Sequence, residues 1–246
     1  MSGQNHVKIH GSGSASGGTY DKITIRGEGT ILDDVECQVF KTFGTSELQG
    51  DIRYEKLDVF GETNVKGAMH GTGLKVIGQL TSGSDAVIHH TKVRGSLDLA
   101  GGIKGEKADI KGSISSGGNI EMETFQLHGN FVAAGLLSAE VLDVGLRFGV
   151  SRAAEIGGSK ISIKKKSALP FLPFGKGDGT LEVKIIEGDD ITIENTRADI
   201  VRGKNVTIGS GCEIGLVEYS ESFKHNSNST IKEKIFNGSY EKPQMK

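Results

Sequence analysis

Tryptophan is absent from this 246-residue chain, and its three prolines begin only at Pro170. A proline-rich linker and a collagen-like repeat are therefore excluded, and nothing before residue 170 forbids an internal strand ladder. Cysteine is almost as scarce. Cys37 and Cys212 cannot build a disulfide framework, and they point to a reducing compartment. Neither sign of charge is in excess: 29 Lys and Arg face 31 Asp and Glu, a net charge of -2. Composition thus offers no global electrostatic reason to bind nucleic acid or an anionic membrane. No window holds 18 apolar residues, so no transmembrane helix is expected. Met1-Ser2-Gly3-Gln4-Asn5 lacks the apolar stretch of a secretory signal. These absences predict a cytoplasmic protein.

Glycine is what the chain has in excess, with 37 residues, about twice average usage. Gly27, Gly44, Gly61, Gly78, Gly95, Gly112 and Gly129 recur at a constant spacing of 17. Six residues after them stands a second set of turn-formers: Asp33, Gly50, Gly67, Ser84, Gly101, Gly118 and Gly135. Between the turns, apolar and polar residues alternate with the strand period of two. Ile23/Ile25, Leu57/Val59 and Phe125/Leu127 are examples four and two residues before a corner glycine. The residue between each such pair is never apolar, as at Thr24, Lys41, Asp58 and Lys75. Three short strands per 17 residues, each with one apolar face, bury those faces by coiling around a shared axis. Each rung stacks on the last at about 4.8 Å. One rung buries roughly six side chains at about 1.5–3 kcal/mol each. Ordering its residues costs at least about 1 kcal/mol apiece. A lone rung cannot stand, and stacking stabilises it.

The expected fold class is all-β: a right-handed parallel β-helix (β-solenoid), triangular in section, with about ten rungs. Residues 1–19 form a Gly/Ser-rich N-terminal segment, in which Val7/Ile9 before Gly11 imitates Ile23/Ile25 before Gly27 and predicts a first rung. Residues 20–163 form the main helix. Its phase weakens after Leu142/Val144, and Ile161/Ile163 read as a late strand. Residues 164–179 form a basic, apolar, proline-containing loop. Rungs resume over 180–222, where Leu181/Val183 and Ala198/Ile200 are again 17 apart. Residues 223–246 are a C-terminal cap or tail.

The repeat of I-x-G and V-x-G rungs, as in Lys22-Ile-Thr-Ile-Arg-Gly27 and Lys56-Leu-Asp-Val-Phe-Gly61, carries a family resemblance. So does the closing run from Ala198 through Val206-Thr-Ile-Gly-Ser-Gly-Cys-Glu-Ile-Gly-Leu-Val-Glu-Tyr219. With these, the chain resembles the bactofilins, the polymer-forming cytoskeletal proteins of bacteria, in a longer Firmicutes-type branch. The resemblance covers most of residues 20–222. It implies a non-enzymatic scaffold subunit that self-assembles end to end without nucleotide. It implies a role in cell shape, motility or the localisation of partner proteins. The 164–179 interruption departs from the compact members, whose helix is continuous.

Three groups of residues are candidate contacts. An end rung exposes unpaired backbone and an open core. At the C-terminal end Val217, Tyr219, Phe223, Ile231, Ile235 and Phe236 either cap it or join another copy. Phe43, Phe60 and Ile77 precede corner glycines at a spacing of 17, so they predict an exposed ladder for lateral contact, unless the N-terminal segment covers it. Leu169, Phe171, Leu172 and Phe174 follow three lysines, a composition suited to peripheral membrane or partner contact. The expected partner is the chain itself, with a related second subunit left open, and no nucleic acid.

No catalytic, cofactor or metal site is expected. His70, His89 and His128 fall at different repeat phases, and adjacent His89 and His90 are expected on opposite faces of a strand. Cys37 and Cys212 occupy inward positions and read as buried small hydrophobes. Two alternatives stay open: a monomeric adaptor, and a β-solenoid enzyme such as a hexapeptide-type acyltransferase. The latter needs six-residue turns throughout, whereas here that glycine spacing is confined to 203–215.

Overall fold

The computed structural model describes residues 5–166 and 179–238. Leu169, Phe171, Leu172 and Phe174 lie outside the described residues. The strands are β1 (His6–Ala15), β2 (Gly18–Ile31), β3 (Val35–Leu48), β4 (Ile52–Val65), β5 (Met69–Ser82) and β6 (Ala86–Leu99). They continue as β7 (Ile103–Ser116), β8 (Ile120–Leu146), β9 (Val150–Lys165), β10 (Thr180–Ile193), β11 (Thr196–Ile208), β12 (Glu213–His225) and β13 (Thr230–Phe236). Each pairs in parallel with the next, in one sheet whose order is the sequence order. The fold is a β-solenoid of about thirteen turns.

Register follows the glycines. From β2 to β8 each residue lies over the one 17 positions away, so Ile25, Thr42, Val59, Val76 and Val93 form one column. The N-terminal rung is present, with Val7 over Ile23, Ile9 over Ile25 and Gly11 over Gly27 at an offset of 16. From β3 to β8 the inward apolar side chains are buried, and so are the polar members Thr42, Ser46, Thr63 and Thr91. Ser46 and Thr63 satisfy each other within the core, their hydroxyl oxygens 2.8 Å apart.

The corner glycines bend the chain where no side chain fits. Gly95 has φ +138°, and a Cβ there would run into the carbonyl oxygen of Gly78, one turn earlier. The second corner is held by side chains that the glycine pattern hides. Asp51 donates its backbone N–H to Asp34 Oδ1, Ala68 to Asp51 Oδ1, and Gly102 to Asp85 Oδ1. Leu136 donates in the same way to Asn119 Oδ1. Each Asx side chain thereby caps the next turn.

Three expectations need correction. The count of about ten rungs is too low, because turns whose spacing departs from 17 escape a search at that period. β8 and β9 pair at an offset of 19 to 20, and β9 and β10 at 30, across the 167–178 segment. Leu181/Val183 do not stack on Ala198/Ile200. Their partners are Thr196 and Ala198, at an offset of 15. Finally, residues beyond 222 do not leave the solenoid at once. β12 runs to His225, and β13 adds a further strand after the Asn226–Ser229 turn.

Candidate functional site

The surfaces that the sequence singles out within the described residues are the C-terminal end and the flank. Val217 is fully buried, which corrects its assignment as a contact residue: it belongs to the core. Tyr219, Phe223 and Ile231 are partly buried against that core. Ile235 and Phe236 are exposed. The ring of Tyr219 lies 5.3 Å from those of both Phe223 and Phe236. Phe223 stands over Val206, itself over Ile191, and so extends an inward column to the end of the rod.

Register also places a charge where the core is otherwise apolar. The column Ile186, Val201, Val217 ends on Lys234. The first three are buried and Lys234 is exposed, its Nζ 5.8 Å from the centre of the Phe223 ring. At the other end, β1 presents Val7, Ile9 and Ala15 at inward positions, with no charge among them. A charge pointing inward on an end strand discourages uncontrolled edge pairing. Sequence reasoning missed Lys234 because its phase is readable only through the irregular offsets of β9 to β13.

On the flank, Phe43, Phe60 and Ile77 do stack one over the next. Phe43 and Phe60 are nearly coplanar in orientation, at 4°, with centroids 5.0 Å apart. Phe43 and Ile77 are 39% and 43% exposed, so the described residues leave the ladder open to solvent. Residues 6–15 do not cover it, because they are used as a turn of the solenoid. Arg26 sits 5.0 Å over the Phe43 ring and Lys75 5.3 Å over that of Phe60. Beside them Asp58 is buried on the outward side of its strand by two lysines, Lys41 at 3.2 Å and Lys56 at 3.6 Å.

His89 and His90 do not point to opposite faces. Both are exposed within β6, where the buried–exposed alternation breaks, and both approach Glu106, at 2.8 and 3.8 Å. The imidazole of His89 holds the Glu106 carboxyl below its ordinary range by hydrogen bonding. Among the described residues no group of three or more His, Cys, Asp or Glu is placed to hold a metal ion. Cys37 and Cys212 are buried. Burial pushes the Cys37 thiol up to about 12 and raises that of Cys212. Both thiols are protonated near neutrality, which removes their nucleophilicity.

Comparison with known proteins adds two relatives. The chain is 45% identical over 229 residues to "Uncharacterized protein YhbF" of Bacillus subtilis (strain 168), covering 93% of this chain and 96% of that protein. It is 50% identical over 223 residues to "Uncharacterized protein YhbE" of the same strain, covering 91% and 94%. The chain belongs to the YhbF/YhbE family. Near-complete coverage on both sides means that the turns described above, from β1 to β13, correspond to nearly the whole of each YhbF/YhbE relative. No family model and no solved structure matches.

Proposed function

We propose that this member of the YhbF/YhbE family is a non-enzymatic scaffold subunit of the bactofilin type. Its rungs form a right-handed helix of triangular section. Copies join end to end without nucleotide, in the cytoplasm, and the polymer positions partner proteins for shape, motility or localisation. A related second subunit is compatible with the same joint. The 164–179 segment, with Phe171 and Phe174, serves as a further contact for a partner or a membrane.

The observation that supports this reading is the single continuous sheet. Among the described residues β1 and β13 each pair on one side only, and the backbone groups on the other side have the spacing that another copy requires. Tyr219, Phe223 and Phe236 supply the apolar contact, and Lys234 limits its strength. Light scattering and electron microscopy test it. Wild type is expected to form filaments, Phe223→Arg to shorten or abolish them, and Lys234→Leu to lengthen them. Monodisperse rods in all three would sink the proposal and favour the monomeric adaptor.

A further inference from the structure

The registered turns put together a surface that neither composition nor the ladder of apolar residues reveals alone. In β1 to β8 the residues one, three and five positions before each corner glycine point outward on the same side of the rod. These 24 positions form one face, about 35 Å long over eight turns at the strand spacing and about 15 Å wide. They hold ten of the chain's 29 Lys and Arg, among them Lys22, Arg26, Lys75, Lys92, Lys107 and Lys111, and two of its 31 acids, Asp58 and Asp109. Both acids are already ion-paired within the face, Asp58 to Lys41 and Lys56, and Asp109 to Arg94 at 2.8 Å. The face thus carries a net charge of about +8 on a chain whose total is -2.

The segregation stops abruptly. Gly145 stacks on His128, and beyond it the same columns carry Asp143 and Asp190 as well as Lys160, Lys164 and Lys224. Phe43, Phe60 and Ile77 stand in the middle of the basic part.

We infer that this face docks on an anionic lipid surface, with the lysines and arginines over the headgroups and the edges of Phe43, Phe60 and Ile77 among them. A basic surface with exposed aromatic and aliphatic side chains has the chemistry of an interfacial membrane contact. Nucleic acid, the other polyanion, fits less well. Single-stranded binding sites offer open aromatic faces on which bases stack. Here both faces of each ring are taken. Phe43 lies between Arg26 and Phe60, and Phe60 between Phe43 and Lys75. Only ring edges reach outward, which suits insertion and not stacking. This contact is separate from the end-to-end joint.

The test is co-sedimentation of the full chain with vesicles of phosphatidylglycerol and phosphatidylcholine, against vesicles of phosphatidylcholine alone. Wild type is expected to pellet only with the anionic vesicles, and less so at high salt. Lys92→Glu/Lys107→Glu/Lys111→Glu changes three exposed side chains of the face. It should weaken partitioning at least about tenfold, because each basic residue near an anionic surface contributes roughly fivefold. Lys104→Glu/Lys184→Glu/Lys232→Glu makes the same charge change elsewhere and should leave partitioning within about twofold of wild type. Phe43→Ser/Phe60→Ser should also weaken it. Equal pelleting by wild type and the face variant, or equal loss in the control, overturns the inference. So does tighter binding to an oligonucleotide than to anionic vesicles at the same salt. Light scattering of the same samples keeps the two proposals apart, since the face variant is expected to assemble as wild type does.

Discussion

Thr42 illustrates how the solenoid treats a single wrong residue. It occupies the inward column of Ile25, Val59 and Val76 and is completely buried, yet its Oγ1 has no hydrogen-bond partner among the described residues. A buried unsatisfied hydroxyl costs more than the side chain's packing returns. Thr42→Val is expected to raise stability by about 1 kcal/mol, read as a higher urea midpoint. Cys37 and Tyr54 define the alkaline limit at the same scale. They lie one above the other, and burial raises both pKa values, that of Cys37 to about 12. Each group is neutral in the fold but ionises more easily in the unfolded chain. The stability that Cys37 contributes is complete below the ordinary thiol value near 9 and is lost as pH rises from there to about 12, while that of Tyr54 begins to be lost above the ordinary phenol value of 10. Urea midpoints are expected to fall across that window, and less steeply in Cys37→Ala.

At the scale of the element, the corner decides whether a strand can stack. The glycine column from Gly27 to Gly129 has positive φ at every member, and each member abuts the carbonyl of the one before. Gly95→Ala at φ +138° is expected to cost about 1–3 kcal/mol, measured as a lower urea midpoint. A substitution at an exposed strand position such as Lys92→Ala should leave the midpoint nearly unchanged. The glycines were legible because a positive-φ corner admits little else. The Asp34, Asp51, Asp85 and Asn119 ladder was not, although it shares the spacing of 17. Ala68 and Gly102 interrupt it, and an acidic residue at a turn has an ordinary local explanation.

For the whole molecule, charge distribution matters more than charge total. A chain of net charge -2 at pH 7 is expected to pass through a cation-exchange column. With about eight positive charges on one face, the protein is instead expected to be retained at low salt and released as salt screens that face. The Lys92→Glu/Lys107→Glu/Lys111→Glu variant should elute earlier. Flow-through of the wild type would show that the face does not act as a unit. The two ends differ as well: β1 closes on small apolar residues, whereas the last turn sets Lys234 into the core column.

The sequence by itself determined the solenoid, the register of β2 to β8, the first rung and the stacking of Phe43, Phe60 and Ile77, whose exposure the structure decided. A constant period with alternating polarity leaves the chain one way to bury its apolar residues. Only the tertiary structure decided the later turns, the burial of Val217 and the inward charge of Lys234. These depend on offsets of 15 to 30, which no fixed period encodes. It also decided the basic face, because residues 17 positions apart become neighbours only once the turns are stacked.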